Sequence, residues 1–68
     1  MEPIVINRTS NGELYANVNG VARGGVTCYF NESGELIGHT LYAVALVPKL
    51  YAVIAARGVQ LPNDGQGE

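Results

Sequence analysis

The side chains in this sequence that could do chemistry are few and stand apart. His39 is the one histidine and Cys28 the one cysteine. An imidazole acting as general base needs a nucleophile beside it and a third group to orient it, and the sequence sets no such group next to His39. A structural, hydrogen-bonded histidine in an apolar strand is the expectation. Cys28 alternates with Val26 and Phe30, so it is expected to pack as a small hydrophobe; a reactive thiolate would need positive charge nearby. Glu32 and Glu35 have the spacing of paired carboxylates. They flank a turn, however, where solvated side chains are the plainer meaning, and no cleft is evident to drive their pKa values apart. A single cysteine excludes an internal disulfide, and a single histidine argues against a Cys/His zinc site. The sequence therefore predicts no enzyme, no metal and no cofactor.

Two further groups bear on binding rather than catalysis. The run Gly20-Val21-Ala22-Arg23-Gly24-Gly25 combines pliable backbone with a cation, which makes Arg23, Gly24 and Gly25 the candidate residues for a small anionic ligand such as a nucleotide. The run lacks the Gly-Lys-Ser/Thr ending of a phosphate-binding loop and does not lead from a strand into a helix, so a bulge or bend is the simpler meaning. The second group is aromatic. If Leu14, Ala16, Val26, Cys28 and Phe30 face a core, then Tyr15, Thr27 and Tyr29 share the opposite face. A strand phase with Ile37, His39 and Leu41 inward adds Thr40 and Tyr42 to that face, and Val5 joins them. Tyrosine offers contact area and a polar tip together, so Tyr15, Thr27, Tyr29 and Tyr42 are the candidate partner-binding surface. The competing explanation is that cross-strand tyrosines only stabilise an exposed sheet.

The elements that must position these residues follow from periodicity and turn chemistry. The β-branched Ile4-Val5-Ile6 predicts a strand over residues 3–7, ended by the polar run from Asn7 to Gly12. Residues 13–18 alternate with period two, Leu14, Ala16 and Val18 on one side and Glu13, Tyr15 and Asn17 on the other. Asn19-Gly20 supplies the two positive-φ residues of a type I′ hairpin turn. The returning strand, 21–31, carries Gly24-Gly25, which marks a bulge or bend. Asn31-Glu32-Ser33-Gly34 is the next turn, with Gly34 in the left-handed conformation.

Residues 36–56 are almost continuously apolar. On one continuous helix, the two Leu-Tyr-Ala-Val copies at 41–44 and 50–53, nine residues apart, would lie on opposite faces and make it apolar all round. Pro48 would kink such a helix but is tolerated in a first turn. The sequence thus predicts a strand over 35–44 and a helix over 48–57. Leu50, Val53, Ile54 and the stem of Arg57 form its buried stripe, with Gly58 at its end. A membrane span is disfavoured by Lys49 inside the run. The fold class expected is α+β: an antiparallel β-meander of about four strands with one C-terminal helix packed on one face. Residues 1–60 form one small domain and 61–68 a flexible tail.

Composition narrows the role. The chain is 47% hydrophobic and 15% charged, against about 25% charged in an average domain. A chain this short buries only about 60% of its unfolded surface. With disulfide and metal set aside, a second subunit is the remaining aid to stability, which predicts a homo-oligomer, most simply a homodimer. Arg8, Arg23, Lys49 and Arg57 are the only cations and are dispersed, a weak footprint for nucleic acid. Base stacking on the tyrosine face stays as a minor alternative. The first ten residues lack a basic segment followed by an apolar core; that absence and the single thiol predict a cytoplasmic protein.

In small size, absence of a catalytic set and intracellular character, the chain resembles in a general way the accessory inhibitors of phages and other mobile elements, such as anti-CRISPR proteins. The resemblance is one of size and composition. It accords with the role expected from the residues themselves: a non-catalytic binding protein whose expected partners are another protein and a second copy of itself rather than nucleic acid or a membrane.

Overall fold

The computed structural model describes residues 2–62. Residues 63–68 of the expected tail lie outside the described residues. The elements run β1 (Ile4–Val5), β2 (Asn7–Arg8), β3 (Leu14–Val21), β4 (Gly24–Phe30), β5 (Leu36–His39), a 3-10 turn (Val44–Leu46), α1 (Val47–Arg57) and β6 (Val59–Gln60). Strands β2 to β5 form an antiparallel sheet in sequential order, and α1 crosses one of its faces. The expected α+β meander with a C-terminal helix is therefore present.

Period-two alternation builds the core. Leu14, Ala16 and Val18 of β3 and Val26, Cys28 and Phe30 of β4 are buried on the helix side, together with Val21, Ile4, Ile6 and Leu50. From the helix only Leu50 is fully buried; Val53 and Ile54 pack at the margin, and Lys49, Ala52 and Ala56 face outward, as the expected stripe requires. The helix has no side-chain cap at its start. The preceding 3-10 turn takes that place, with Leu46 N–H donating to Ala43 C=O at 2.9 Å, while Pro48 sits in the first turn where its missing N–H costs little. At the other end Gly58 (φ 71°) donates to Ile54 C=O at 2.7 Å.

Four expectations need correction. First, the expected strand over 3–7 divides at Ile6: β1 pairs in parallel with β6, whereas β2 pairs with β3. Val5 therefore leaves the tyrosine face for a separate two-stranded ribbon. Second, the hairpin turn is not Asn19-Gly20. The turn residues are Ala22 (φ 49°) and Arg23 (φ 77°), with Val21 opposite Gly24. Gly20 (φ 84°) is instead the extra residue of a bulge between Asn19 and Val21. Burial explains the displacement: a regular ladder from a turn at Asn19-Gly20 would carry Val26, Cys28 and Phe30 to the outer face, whereas a turn at Ala22-Arg23 with one inserted residue keeps them on the core face with Val18 and Val21. Third, the bulge therefore lies at Gly20, across from Gly24-Gly25, which continue as regular strand. Fourth, the strand begun at Leu36 ends at His39 rather than near residue 44, because Leu41 (φ 54°) turns the chain out of extended conformation.

The loops at the other end of the sheet repeat one design. Thr9-Ser10-Asn11-Gly12-Glu13-Leu14 and Asn31-Glu32-Ser33-Gly34-Glu35-Leu36 each place a glycine at near-identical φ, 87° and 86°. In each, the glycine N–H donates to the C=O of the first residue at 2.9 Å, and the first residue's N–H donates to the glutamate C=O, at 2.9 Å and 3.0 Å. Thr9 Oγ1 accepts from the N–H groups of Asn11 and Glu13, and Asn31 Oδ1 accepts from those of Ser33 and Glu35. A side-chain oxygen thus satisfies the backbone donors of each turn. Arg8 and Glu32 join the two loops by an exposed ion pair at 3.5 Å.

Candidate functional site: the outer face of the sheet

The face of the sheet turned away from α1 is built by the residues that alternate with the core. Tyr15 of β3 stands directly opposite Tyr29 of β4, and Asn7 of β2 and Gly38 of β5 complete their row. In the next row Asn17 faces Thr27, and Thr27 Oγ1 donates to Asn17 Oδ1 at 2.9 Å. Beyond it Asn19 faces Gly25. A side chain at Gly25 would place its Cβ 2.6 Å from Asn19 Oδ1 and 3.3 Å from the Val18 carbonyl oxygen. The glycine is thus the floor that lets the Asn19 carboxamide lie across the sheet.

These rows run into an open groove of about 430 Å³ lined by Asn17, Asn19, Gly25, Val26, Thr27, Thr40 and Leu41. Its polar lining is carboxamides and hydroxyls, groups that both donate and accept hydrogen bonds but carry no charge. The lining contains no Asp, Glu, Lys or Arg. Thr40 is held to the sheet by its N–H, which donates to Thr27 C=O at 3.1 Å.

Of the candidate partner-binding residues, Tyr15, Thr27 and Tyr29 lie together on this face, and Tyr42 does not. Tyr42 packs against the core from the helix side, its ring edge-to-face with His39 at 6.2 Å, and its hydroxyl is buried without a hydrogen-bond partner. The expected strand phase failed because β5 has its own bulge. Leu36 pairs with Phe30 and Gly38 with Tyr29, which leaves Ile37 as the extra residue. His39 remains on the core face opposite Cys28, as expected, but Ile37 and Leu41 are exposed rather than inward. Once Leu41 turns the chain, Tyr42 folds back over the core.

The candidate anion-binding residues divide as well. Arg23 and Gly24 sit at the exposed hairpin tip, and Gly25 alone of the three lines the groove. Thr40, expected on this face, lines the groove; sequence reasoning missed Asn19 and Leu41 as groove residues. Asn17 and Asn19 extend the outward alternation of Tyr15, so the signal for them was the period of two; Leu41 had none, because its placement depends on a positive φ.

The residues first weighed for catalysis come no closer to a catalytic set. Cys28 and His39 are cross-strand neighbours, a juxtaposition the sequence did not reveal. Yet burial pushes the Cys28 thiol above its ordinary pKa, the opposite of what makes a thiolate nucleophile. Glu32 pairs with Arg8, and Glu35 Oε1 accepts from Asn31 Nδ2 at 2.9 Å; neither lines the groove. Among the described residues no group of three or more His, Cys, Asp or Glu is arranged to hold a metal ion, and no helix is long and apolar enough to cross a membrane.

Fold and face together define a small α+β domain whose sheet carries a cross-strand tyrosine pair beside a groove lined by uncharged polar groups. No protein-family model matches the chain, and neither does any curated protein or solved structure.

Proposed function

We propose that this is a non-catalytic, intracellular binding protein that works as a homodimer and covers a surface of a partner protein with the outer face of its sheet. The observation that carries this reading is the direct pairing of Tyr15 with Tyr29 beside a groove of uncharged hydrogen-bonding groups. Tyrosines held on a sheet lose little conformational freedom when a partner covers them, and aromatic anchors of this kind dominate binding energy at protein interfaces. A groove lined without charged side chains also avoids the desolvation penalty that a buried charge would bring. The same lack of cations on the face disfavours a phosphate backbone as its ligand. Such a protein acts by occlusion, in the manner of the small accessory inhibitors of mobile elements.

The test is affinity capture from the native host with the wild-type chain, Tyr15→Ala, Tyr29→Ala and, as a control, Tyr51→Ala on the exposed side of α1. Proteins held by the wild type and the control but lost by both sheet variants support the reading. Truncating an anchor costs about 1 to 2 kcal/mol or more, roughly a fivefold to thirtyfold loss of affinity. Equal capture by all four folded chains overturns the tyrosine face. Salt-dependent binding of an oligonucleotide in place of a protein overturns the choice of partner.

A further inference from the structure

We infer that the segment from Leu41 to Ala56 lies on an anionic phospholipid surface, with Leu41 and Val44 inserted among the headgroups and Lys49 beside them. The inference goes beyond the partner-binding face of the sheet, since it concerns the loop after β5 and the exposed side of α1. Over residues 41–56, all of them described, Lys49 is the one exposed charged side chain, and the other exposed residues are Ala, Pro, Leu, Val and Tyr. Leu41 is 102% exposed, Val44 85% and Tyr51 51%. A surface helix ordinarily turns charged and polar side chains away from the core; α1 turns out Ala52, Ala55 and Ala56 beside Tyr51 and Lys49.

Leu41 also holds a φ of 54°, a conformation in which glycine or asparagine is the ordinary residue. A leucine there breaks the local rule and gains no burial in the free chain. Departures of this kind cluster at functional positions.

Charge selects the occupant. No Asp or Glu occurs from Leu36 to Asn63, whereas Lys49 and Arg57 do. Arg23 adds an exposed cation at the hairpin tip, two residues from Gly25, which lines the groove together with Leu41. Glu13, Glu32 and Glu35 belong instead to the twin loops at the far end of the sheet. Glu2 stands by the end of α1, where Arg57 Nε donates to its C=O at 3.4 Å. Apolar side chains bordered by cations, with most acids held at a distance, fit a layer of acidic headgroups, which attracts each nearby Lys or Arg. A second copy fits less well, because a two-fold contact on this patch brings like charge to like charge. Tyrosine, with an apolar ring and a polar tip, suits the boundary between lipid and water. With 11 residues, α1 is about 16 Å long, too short for the bilayer core of about 30 Å, so it lies along the surface. Lys49 argues against a span through the bilayer centre and favours this position at its boundary.

Co-sedimentation with vesicles tests this, using phosphatidylcholine alone and phosphatidylcholine mixed with phosphatidylserine, each at low and high salt, with folding followed by circular dichroism. The wild type is expected on the mixed vesicles, and more weakly on phosphatidylcholine alone or at high salt. Lys49→Gln should weaken binding about fivefold. Val44→Ser and Leu41→Asn should each weaken it about tenfold, and Leu41→Asn should keep or raise the melting temperature, because asparagine tolerates the positive φ. Val44 and Lys49 do not line the groove, so losses in those variants are separate from the sheet face, and Tyr29→Ala should bind vesicles like the wild type. A folded wild type that sediments with neither vesicle overturns the inference. So does binding that is indifferent to phosphatidylserine and to Lys49→Gln. A mass above one 7.2 kDa chain that Val44→Ser and Leu41→Asn reduce, without vesicle binding, assigns the patch to a second copy and overturns the lipid surface.

Discussion

Leu50→Ala tests the packing that holds the sheet and helix together. Leu50 is the single fully buried side chain of α1, packed among Leu14, Ala16, Val18, Phe30 and the rest of the sheet core, while Val53 and Ile54 reach only its margin. Removing a buried leucine costs the transfer energy of the lost methyl groups plus a cavity term, about 2.7 to 5 kcal/mol in well-packed cores. The lower end applies here, because the half-exposed neighbours leave room for the site to collapse; about 3 kcal/mol is expected. At roughly 0.05 to 0.15 kcal/mol per residue a domain of this size has only about 3 to 10 kcal/mol in all. Urea denaturation at fixed protomer concentration, followed by circular dichroism, is the assay. With a slope near 1 kcal/mol per molar urea the midpoint should fall by about 3 M, or the variant should be unfolded in water. Tyr51→Ala, next along the helix but exposed, should change stability by no more than about 0.5 kcal/mol. A fall of less than about 1 M for Leu50→Ala would show that the helix is not seated through this residue, and the two-layer account of the core would be wrong.

Three further outcomes follow from the geometry. The twin loops make Gly12→Ala and Gly34→Ala an internal comparison: both glycines have φ near 87°, but a Cβ at Gly12 meets nothing within 4 Å, whereas one at Gly34 comes within 3.2 Å of Val59 and Leu61 side chains. Thermal melts should show about 1 kcal/mol lost at Gly12 from backbone strain alone and a larger loss at Gly34; equal losses would mean that the Leu61 contact is unimportant. Replacing Ala22-Arg23 by Asn-Gly suits the positive φ of both turn positions and should stabilise by about 1 kcal/mol, raising the melting temperature by about 4 to 8 °C; no gain would refute the turn assignment. Burial raises the Cys28 pKa, so above the ordinary thiol range, about 8.5, the unfolded chain ionises while the folded chain does not. Stability should therefore be unaffected by this group below that range and decline as pH rises through it. Cys28→Ala should remove that decline, whatever its own cost, when both chains are titrated with denaturant at several pH values.

The strands, the meander and the helix boundaries were legible because long-range packing agrees with local pattern there. Leu14, Ala16 and Val18 alternate, Pro48 and Gly58 punctuate the helix, and Gly34 marks its turn. Where the structure departs from expectation, local and tertiary preferences disagree. Asn19-Gly20 is the better turn dipeptide, and a turn there would set Val21 beside Val18 on the core face, but a regular ladder from it would carry Val26, Cys28 and Phe30 to the outer face; burial of those three outweighs the strain of Ala22 and Arg23. The parallel pairing of β1 with β6 joins the two ends of the described chain, and contacts of such sequence separation leave no trace in a local pattern.

Both errors of phase share one cause, and it bears on the outer face itself. Gly20 and Ile37 are each one residue too many for a regular ladder, so spacings of three, Val18 to Val21 and Leu36 to His39, fall on the same side. A period-two count carried through either point changes side, which is why Ile37 was expected inside and lies outside; Tyr42, expected outside, lies inside because Leu41 turns the chain out of the strand. The two bulges lie one in β3 and one in β5, on either side of β4, and bulges strengthen local twist and re-aim side chains. Asn19 directly precedes the first, and Thr40 and Leu41 follow the second at the strand end; these are the residues that close the groove at its two sides. The irregularities that defeated periodicity are thus the ones that shape the groove. Deleting Gly20 would leave Val18 and Val21 two residues apart, still on the core face of a regular ladder with Asn19 opposite Gly25; what it would remove is the extra twist the bulge gives β3 beside the groove.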